Sequence, residues 1–184
     1  VYTSNECYGT QAEYIRDGLN YKDWCDNVVR LLESSNIRAV HVMCTINALC
    51  LDTLPEFLSE LLKFKTTYGR ERVNFTLNIL RFPSFQSPLI MPDHLKQQYQ
   101  ARLQEWLSQH RDSSMLHEHE LNHLQRLIDY LDVVKTPHRE TFDMPKLLSD
   151  FRNFYVQYDY RRGKNFVETF PNLAEWYESI QIQQ

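Results

Sequence analysis

Residues 37–47 read Ile-Arg-Ala-Val-His-Val-Met-Cys-Thr-Ile-Asn, and residues 72–80 read Arg-Val-Asn-Phe-Thr-Leu-Asn-Ile-Leu. Both stretches are typical of β-strands, in which alternate residues point to opposite faces of the sheet. In each stretch one face is apolar and the other keeps polar side chains, whereas parallel strands with helices on both sides are apolar on both faces. The alternation therefore predicts a sheet with helices on one face and a cavity, or solvent, on the other.

Amphipathic helices separate these strands. A strand end at 1–4 and a helix over 9–17 precede a longer helix over 22–34. The capping box Thr53-x-x-Glu56 then begins a helix that ends near Gly69. Strands and helices that alternate with short connections indicate right-handed βαβ units on a parallel sheet.

Beyond Pro92 the apolar spacing is helical throughout. We therefore predict an α/β fold in two parts. Residues 1–107 form the C-terminal half of a partial (β/α) barrel with parallel strands, and residues 108–184 form a mostly helical tail. In such barrels ligands bind at the carboxyl ends of the strands, where this sequence places its polar side chains.

The composition excludes several classes of protein. The chain has 184 residues, 42% of them hydrophobic, and a formal net charge of −4. Non-specific nucleic-acid binding requires a basic patch, and a membrane span requires an apolar run of about 20 residues. The sequence has neither of these features and no signal-peptide pattern. Its cysteines match no zinc or iron–sulfur spacing, which predicts free thiols in a cytoplasmic protein.

Residues 3–18 read Thr-Ser-Asn-Glu-Cys-Tyr-Gly-Thr-Gln-Ala-Glu-Tyr-Ile-Arg-Asp-Gly. This segment resembles the one that follows the fourth strand of radical S-adenosylmethionine (radical SAM) enzymes. Later motifs resemble the end of the fifth strand, the sixth strand with its exit, and the tail of phage or bacterial members with a short twitch extension. These motifs are Thr45-Ile46-Asn47, Asn78–Pro83, Leu89–Pro92, Asp159-Tyr160-Arg161, Phe166 and Phe170–Leu173.

The resemblance implies roles for five residues. In the family, a serine after the fourth strand and an arginine on the next helix hold the carboxylate of S-adenosylmethionine. Here these residues are Ser4 and Arg16, and a hydroxyl and a guanidinium suit a carboxylate chemically. Side chains at the ends of the next two strands line the cofactor pocket, which implies Thr45, Asn47 and Asn78.

Two features depart from the family. Glu6 stands where an aspartate is usual, and the sequence lacks the C-x-x-x-C-x-x-C motif that holds a [4Fe–4S] cluster. The chain starts at Val1 without a methionine, so we expect a truncated fragment whose cluster-binding half lies in a longer parent protein. The resemblance implies that the parent uses S-adenosylmethionine and a [4Fe–4S] cluster on a peptide, a nucleotide or a small metabolite. Alone, the fragment is expected to hold no cofactor and to be inactive.

A zinc-dependent hydrolase is an alternative. Residues 119–123 read His-Glu-Leu-Asn-His, which matches the H-E-x-x-H motif of zinc peptidases. On a helix, His119 and His123 fall on one face as metal ligands, and the glutamate is the general base. A third ligand would be His138 or Glu140. A second form of the same prediction is incidental metal binding by His117, His119 and His123 without catalysis.

A non-catalytic interaction module is the third class. The tyrosine-rich helix over 151–160 offers a possible partner surface, although aromatic residues at helical spacing usually belong to a core. An incomplete barrel also exposes the edge of a strand, which predicts self-association of the isolated chain.

Overall fold

The computed structural model describes residues 1–132 and 143–182. Within these ranges it contains three β-strands and eight α-helices. The strands are β1 (Tyr2–Ser4), β2 (Val40–Ile46) and β3 (Val73–Ile79). The helices are α1 (Gly9–Ile15), α2 (Tyr21–Glu33), α3 (Leu54–Tyr68), α4 (Asp93–His110), α5 (Glu118–Tyr130), α6 (Met144–Arg162), α7 (Phe166–Thr169) and α8 (Ala174–Ser179). The predicted α/β class is confirmed.

The three strands are parallel and lie in the order β1-β2-β3. Helices connect each strand to the next, which confirms the predicted βαβ organisation. Strand β2 begins at Val40, three residues later than Ile37. The Ile37 amide instead donates to the Ser34 carbonyl in a turn that follows α2. A hydrogen-bonded turn at this point removes the first residues of the apolar run from the sheet.

The two faces of the sheet have opposite character. On one face the side chains of β2 and β3 are buried beneath α2 and α3, namely Val40, Val42, Cys44, Ile46, Val73, Phe75 and Leu77. On the other face the side chains are half-buried or exposed, namely His41, Met43, Thr45, Asn74, Thr76 and Asn78. Burial of the apolar face drives the helices onto the sheet, whereas within the described ranges the polar face, called the open face below, keeps accessible side chains.

The C-terminal helices pack against α1 through Tyr14. The Tyr14 hydroxyl donates to Asp159 Oδ1 at 2.6 Å, and the rings of Phe166 and Phe170 meet the Tyr14 ring edge-on. Burial and the nearby carboxylate raise the pKa of Tyr14, so the phenol stays neutral. One hydrophobic core thus contains residues from both the sheet region and the tail, and α4 runs unbroken through the expected boundary near residue 107.

Candidate functional site

The open face of the sheet carries its polar side chains at the carboxyl ends of the strands. Ser4 is the last residue of β1 and pairs with Met43, while Thr45 of β2 pairs with Asn78 of β3. In a parallel sheet these ends meet at one edge, where α/β folds bind ligands. The structure thus brings Thr45 and Asn78 together near the carboxyl ends of β2 and β3, while Ser4 lies on the same face at the level of Met43.

Arg16 lies at the end of α1 and is held by Glu6. Its Nε and Nη2 atoms donate to Glu6 Oε2 at 2.9 Å and 2.7 Å. The Glu6 side chain is only 4% exposed, whereas that of Arg16 is 33% exposed. Burial raises the pKa of Glu6 above its ordinary value, although the Arg16 guanidinium opposes the shift. Glu6, which follows Ser4 by two residues, therefore anchors Arg16, and part of the arginine side chain stays exposed.

Asn47 has a different place from the one predicted. Its Oδ1 accepts hydrogen bonds from the Leu49 amide at 2.9 Å and from Cys50 Sγ at 3.2 Å. The side chain is buried and caps the short 3₁₀ turn Ala48–Cys50 that follows β2. Asparagine commonly bonds to the backbone two residues ahead in this way. Asn47 therefore shapes the loop at the mouth of the sheet and does not line the open face.

Met43 lies in the middle of the open face and was not among the predicted site residues. It is 40% exposed and is flanked by Ser4 on β1 and Thr76 on β3. A single exposed apolar side chain is common on protein surfaces and does not by itself indicate a binding site. The strand alternation places Met43 on this face, so its position was visible in the sequence, although its role was not.

The cysteines are free thiols, as predicted. Cys7, Cys44 and Cys50 are fully buried, and burial raises the pKa of both Cys44 and Cys50. Cys44 and Cys50 therefore act as small core residues.

The H-E-x-x-H segment lies along the outer edge of β3. Glu120 Oε1 accepts from the Phe75 amide at 3.0 Å, and His123 Nδ1 accepts from the Leu77 amide at 3.1 Å. Arg126 Nη2 donates to the Leu77 carbonyl at 2.7 Å. These three α5 side chains satisfy the backbone groups that an edge strand otherwise leaves open for pairing.

Glu120 also forms a buried ion pair with Lys65. The Lys65 ammonium lies 2.9 Å from Glu120 Oε1, and neither side chain has any exposed surface. Burial lowers the pKa of Lys65, while the Glu120 carboxylate opposes that shift. The second carboxylate oxygen accepts from the His117 amide at 2.9 Å in a capping box. Glu120 is therefore not available as the general base of a hydrolase.

The two histidines of this motif differ in environment. His119 is exposed, while His123 is half-buried against β3. Across residues 1–132 and 143–182, no three histidine, cysteine or acidic side chains converge on a point where a metal ion would sit. The further ligands considered above, His138 and Glu140, lie outside the described residues. The geometry thus gives the H-E-x-x-H residues a structural role at the sheet edge.

We predict that the hydrogen bond between His123 and the edge of β3 makes the chain less stable in acid. Burial lowers the pKa of His123, and Arg126 and His119 add to the shift, while Glu120 opposes it. His123 Nδ1 must be unprotonated to accept from Leu77. The stabilisation that this hydrogen bond provides is complete above the pKa of an unfolded histidine, about 6.5. It is lost as the pH falls through the lower pKa that His123 has in the folded chain.

The measurement is the urea unfolding free energy between about pH 7.5 and pH 5.5 for the parent chain and His123→Gln. We expect the difference between the two proteins to shrink as the pH falls. His94→Gln, which alters an exposed histidine of α4, is the control and should follow the parent chain. A difference that stays constant with pH would show that His123 titration does not affect the edge.

Comparison of the chain with protein-family models, with curated proteins and with solved structures finds no match. Within the described ranges, no helix combines the length and the apolar character that crossing a membrane requires. The case for a function therefore depends on the residues and their geometry.

Proposed function

We propose that this chain forms the C-terminal half of a radical SAM-type partial (β/α) barrel and supplies part of an S-adenosylmethionine pocket. The observation that carries the proposal is the open polar face, where Thr45 and Asn78 pair near the carboxyl ends of β2 and β3, Ser4 ends β1 on the same face, and Glu6 anchors Arg16 two residues after Ser4. A singly wound sheet with helices on one face only is the arrangement of a barrel segment. The outer edge of β1 has no strand partner among the described residues, so further strands fit beside it.

The residues suit one end of S-adenosylmethionine. The Arg16 guanidinium and the Ser4 hydroxyl are donors for its carboxylate, and Glu6 holds the guanidinium in place. Met43 offers an apolar surface between the polar rows. When bound, the cofactor supplies the radical that abstracts hydrogen from a substrate. The thiolates of a [4Fe–4S] cluster would come from another part of the parent protein, because the cysteines here lack the cluster-binding spacing and burial raises the pKa of Cys44 and Cys50.

The proposal predicts weaker cofactor binding when the carboxylate donors are removed. In the longest reading frame that contains this chain, Arg16→Gln should weaken S-adenosylmethionine binding roughly 10- to 150-fold. This range corresponds to the loss of about 1.5–3 kcal/mol from a charged hydrogen bond. Isothermal titration calorimetry under anaerobic conditions measures the change, and Ser4→Ala should give a smaller effect of the same sign.

Asn74→Ala is the matched control. Asn74 lies on the same open face of β3, but it pairs with His41 at the amino ends of the strands. We expect this variant to bind the cofactor as the parent does. Equal losses in Arg16→Gln and Asn74→Ala would indicate general damage to the sheet, and no loss in Arg16→Gln would contradict the assigned role.

A further inference from the structure

A groove of about 520 Å³ runs along the exposed side of α6. One of its walls comes from Phe85, in the 3₁₀ turn Ser84–Gln86 that follows β3. The groove therefore opens on the carboxyl-end side of the sheet, but no residue of the S-adenosylmethionine pocket lines it. It is a separate site, and its binding chemistry does not depend on the function proposed above.

The apolar wall of the groove is made of three rings. Phe85 and Phe154 lie 5.5 Å apart between ring centroids, and Phe154 stacks on Tyr158 at 6.0 Å. The Tyr158 hydroxyl donates to the Tyr14 carbonyl at 2.7 Å, which fixes its ring against α1. Phe154 nevertheless keeps 40% of its surface exposed. This arrangement is a preformed apolar recess that suits one large side chain of a ligand.

A polar row runs beside the rings on the same face of α6. Asn153, Gln157 and Arg161 are spaced four residues apart, so neighbouring side chains stand about 6 Å apart along the helix axis. An extended peptide repeats its backbone groups on one side every two residues, or about 6.7 Å. Carboxamides both donate and accept hydrogen bonds. The row therefore matches the backbone of an extended chain in spacing and in chemistry.

The two ends of the groove carry opposite charges. Asp150 lies at one end and Arg161 at the other, about 16 Å apart along the helix, which is the length of about five extended residues. Arg162 is paired with Asp17 at 2.8 Å, whereas Arg161 contacts no carboxylate of the described residues and donates only to Gln157 Oε1. Arg161 is therefore the cation available to a ligand.

We propose that this groove binds an extended peptide segment of about five residues. The peptide places a large apolar or aromatic side chain between Phe85 and Phe154 and a carboxylate on Arg161, and its backbone bonds to Asn153 and Gln157. The ring wall would also stack on a nucleobase. However, the regular amide spacing and the opposite charges at the two ends of the groove favour a peptide.

Selection of a random peptide display library on the immobilised chain tests the proposal. We expect enriched sequences to share a large apolar residue with an acidic residue near it on one side. Selection on Arg161→Glu should replace that acidic residue with lysine or arginine. A synthetic peptide of the enriched sequence should bind at least about tenfold more weakly to Phe154→Ala and to Arg161→Glu.

Tyr160→Ala is the matched control, since Tyr160 is an exposed aromatic residue of α6 outside the groove. We expect this variant to bind the enriched peptide as the parent chain does. The altered side chains are exposed, and unchanged thermal unfolding would verify that the variants fold. The proposal is overturned if no sequence is enriched over the Phe154→Ala, Arg161→Glu double variant. It is also overturned if the enriched peptides bind that variant equally well, or if adenosine monophosphate binds with the expected mutational sensitivity while peptides do not.

Discussion

Replacement of Glu120 by alanine is expected to lower the free energy of unfolding by about 3–5 kcal/mol, the usual cost of leaving one charge of a buried ion pair without its partner. The change strands the fully buried Lys65 ammonium. It also removes the acceptor of the Phe75 and His117 amides. Urea unfolding followed by circular dichroism measures the loss. The expected loss is a large part of the free energy of unfolding of a typical domain.

Glu118→Ala is the control for this substitution, because Glu118 is an exposed glutamate in the same first turn of α5. It should cost no more than about 0.5 kcal/mol. Lys65→Met combined with Glu120→Ala should recover part of the lost stability, since no unpaired buried charge remains. A loss below about 1 kcal/mol in Glu120→Ala would contradict the buried pair.

The same variant should change the association state of the chain. Without Glu120, the Phe75 amide at the outer edge of β3 is no longer satisfied by α5, and open strand edges pair with other chains. We expect Glu120→Ala to form larger species at high protein concentration in analytical ultracentrifugation. Identical sedimentation of Glu120→Ala and the parent chain would argue against the edge-capping role.

Replacement of Phe166 by alanine is expected to cost about 3–5 kcal/mol, as for other fully buried aromatic residues. Phe166 has no exposed surface and stacks on Tyr177 at 3.8 Å. It also packs edge-on against Tyr14. Its loss should loosen the C-terminal helices from α1, which would reduce near-ultraviolet circular dichroism and increase proteolysis of the tail.

Tyr160→Ala provides the comparison, because Tyr160 is 90% exposed on the neighbouring helix. We expect this variant to unfold within about 0.5 kcal/mol of the parent chain. If Phe166→Ala and Tyr160→Ala were equally stable, the tail would not share a core with α1.

The strands and their two faces were predictable because the signal is local. The alternation in residues 40–46 and 73–79 reports directly which side chains the helices cover. Placing Thr45 and Asn78 on one face near the carboxyl ends of their strands followed from the parity of the strands together with the direction expected for a parallel sheet, whereas Ser4 came from the family resemblance. These predictions required no knowledge of contacts between distant segments.

Other features depend on contacts between distant residues. The sequence could not show that α5 lies along β3, so H-E-x-x-H was interpreted as a possible zinc site although Glu120 pairs with Lys65, 55 positions earlier. The role of Glu6 was likewise hidden, because it depends on the way α1 returns Arg16 to the end of β1. Asn47 was assigned to the pocket, whereas its side chain caps the turn that follows β2.

The proposed place of this chain in a radical SAM-type barrel is best tested by the DNA sequence upstream of the Val1 codon. We expect an open reading frame that continues upstream in phase and encodes C-x-x-x-C-x-x-C after a first β-strand. A stop codon directly before Val1, or an upstream frame without that cysteine triad, would contradict it. The open polar face would then be a solvated sheet surface, and the groove on α6 would be the site to pursue.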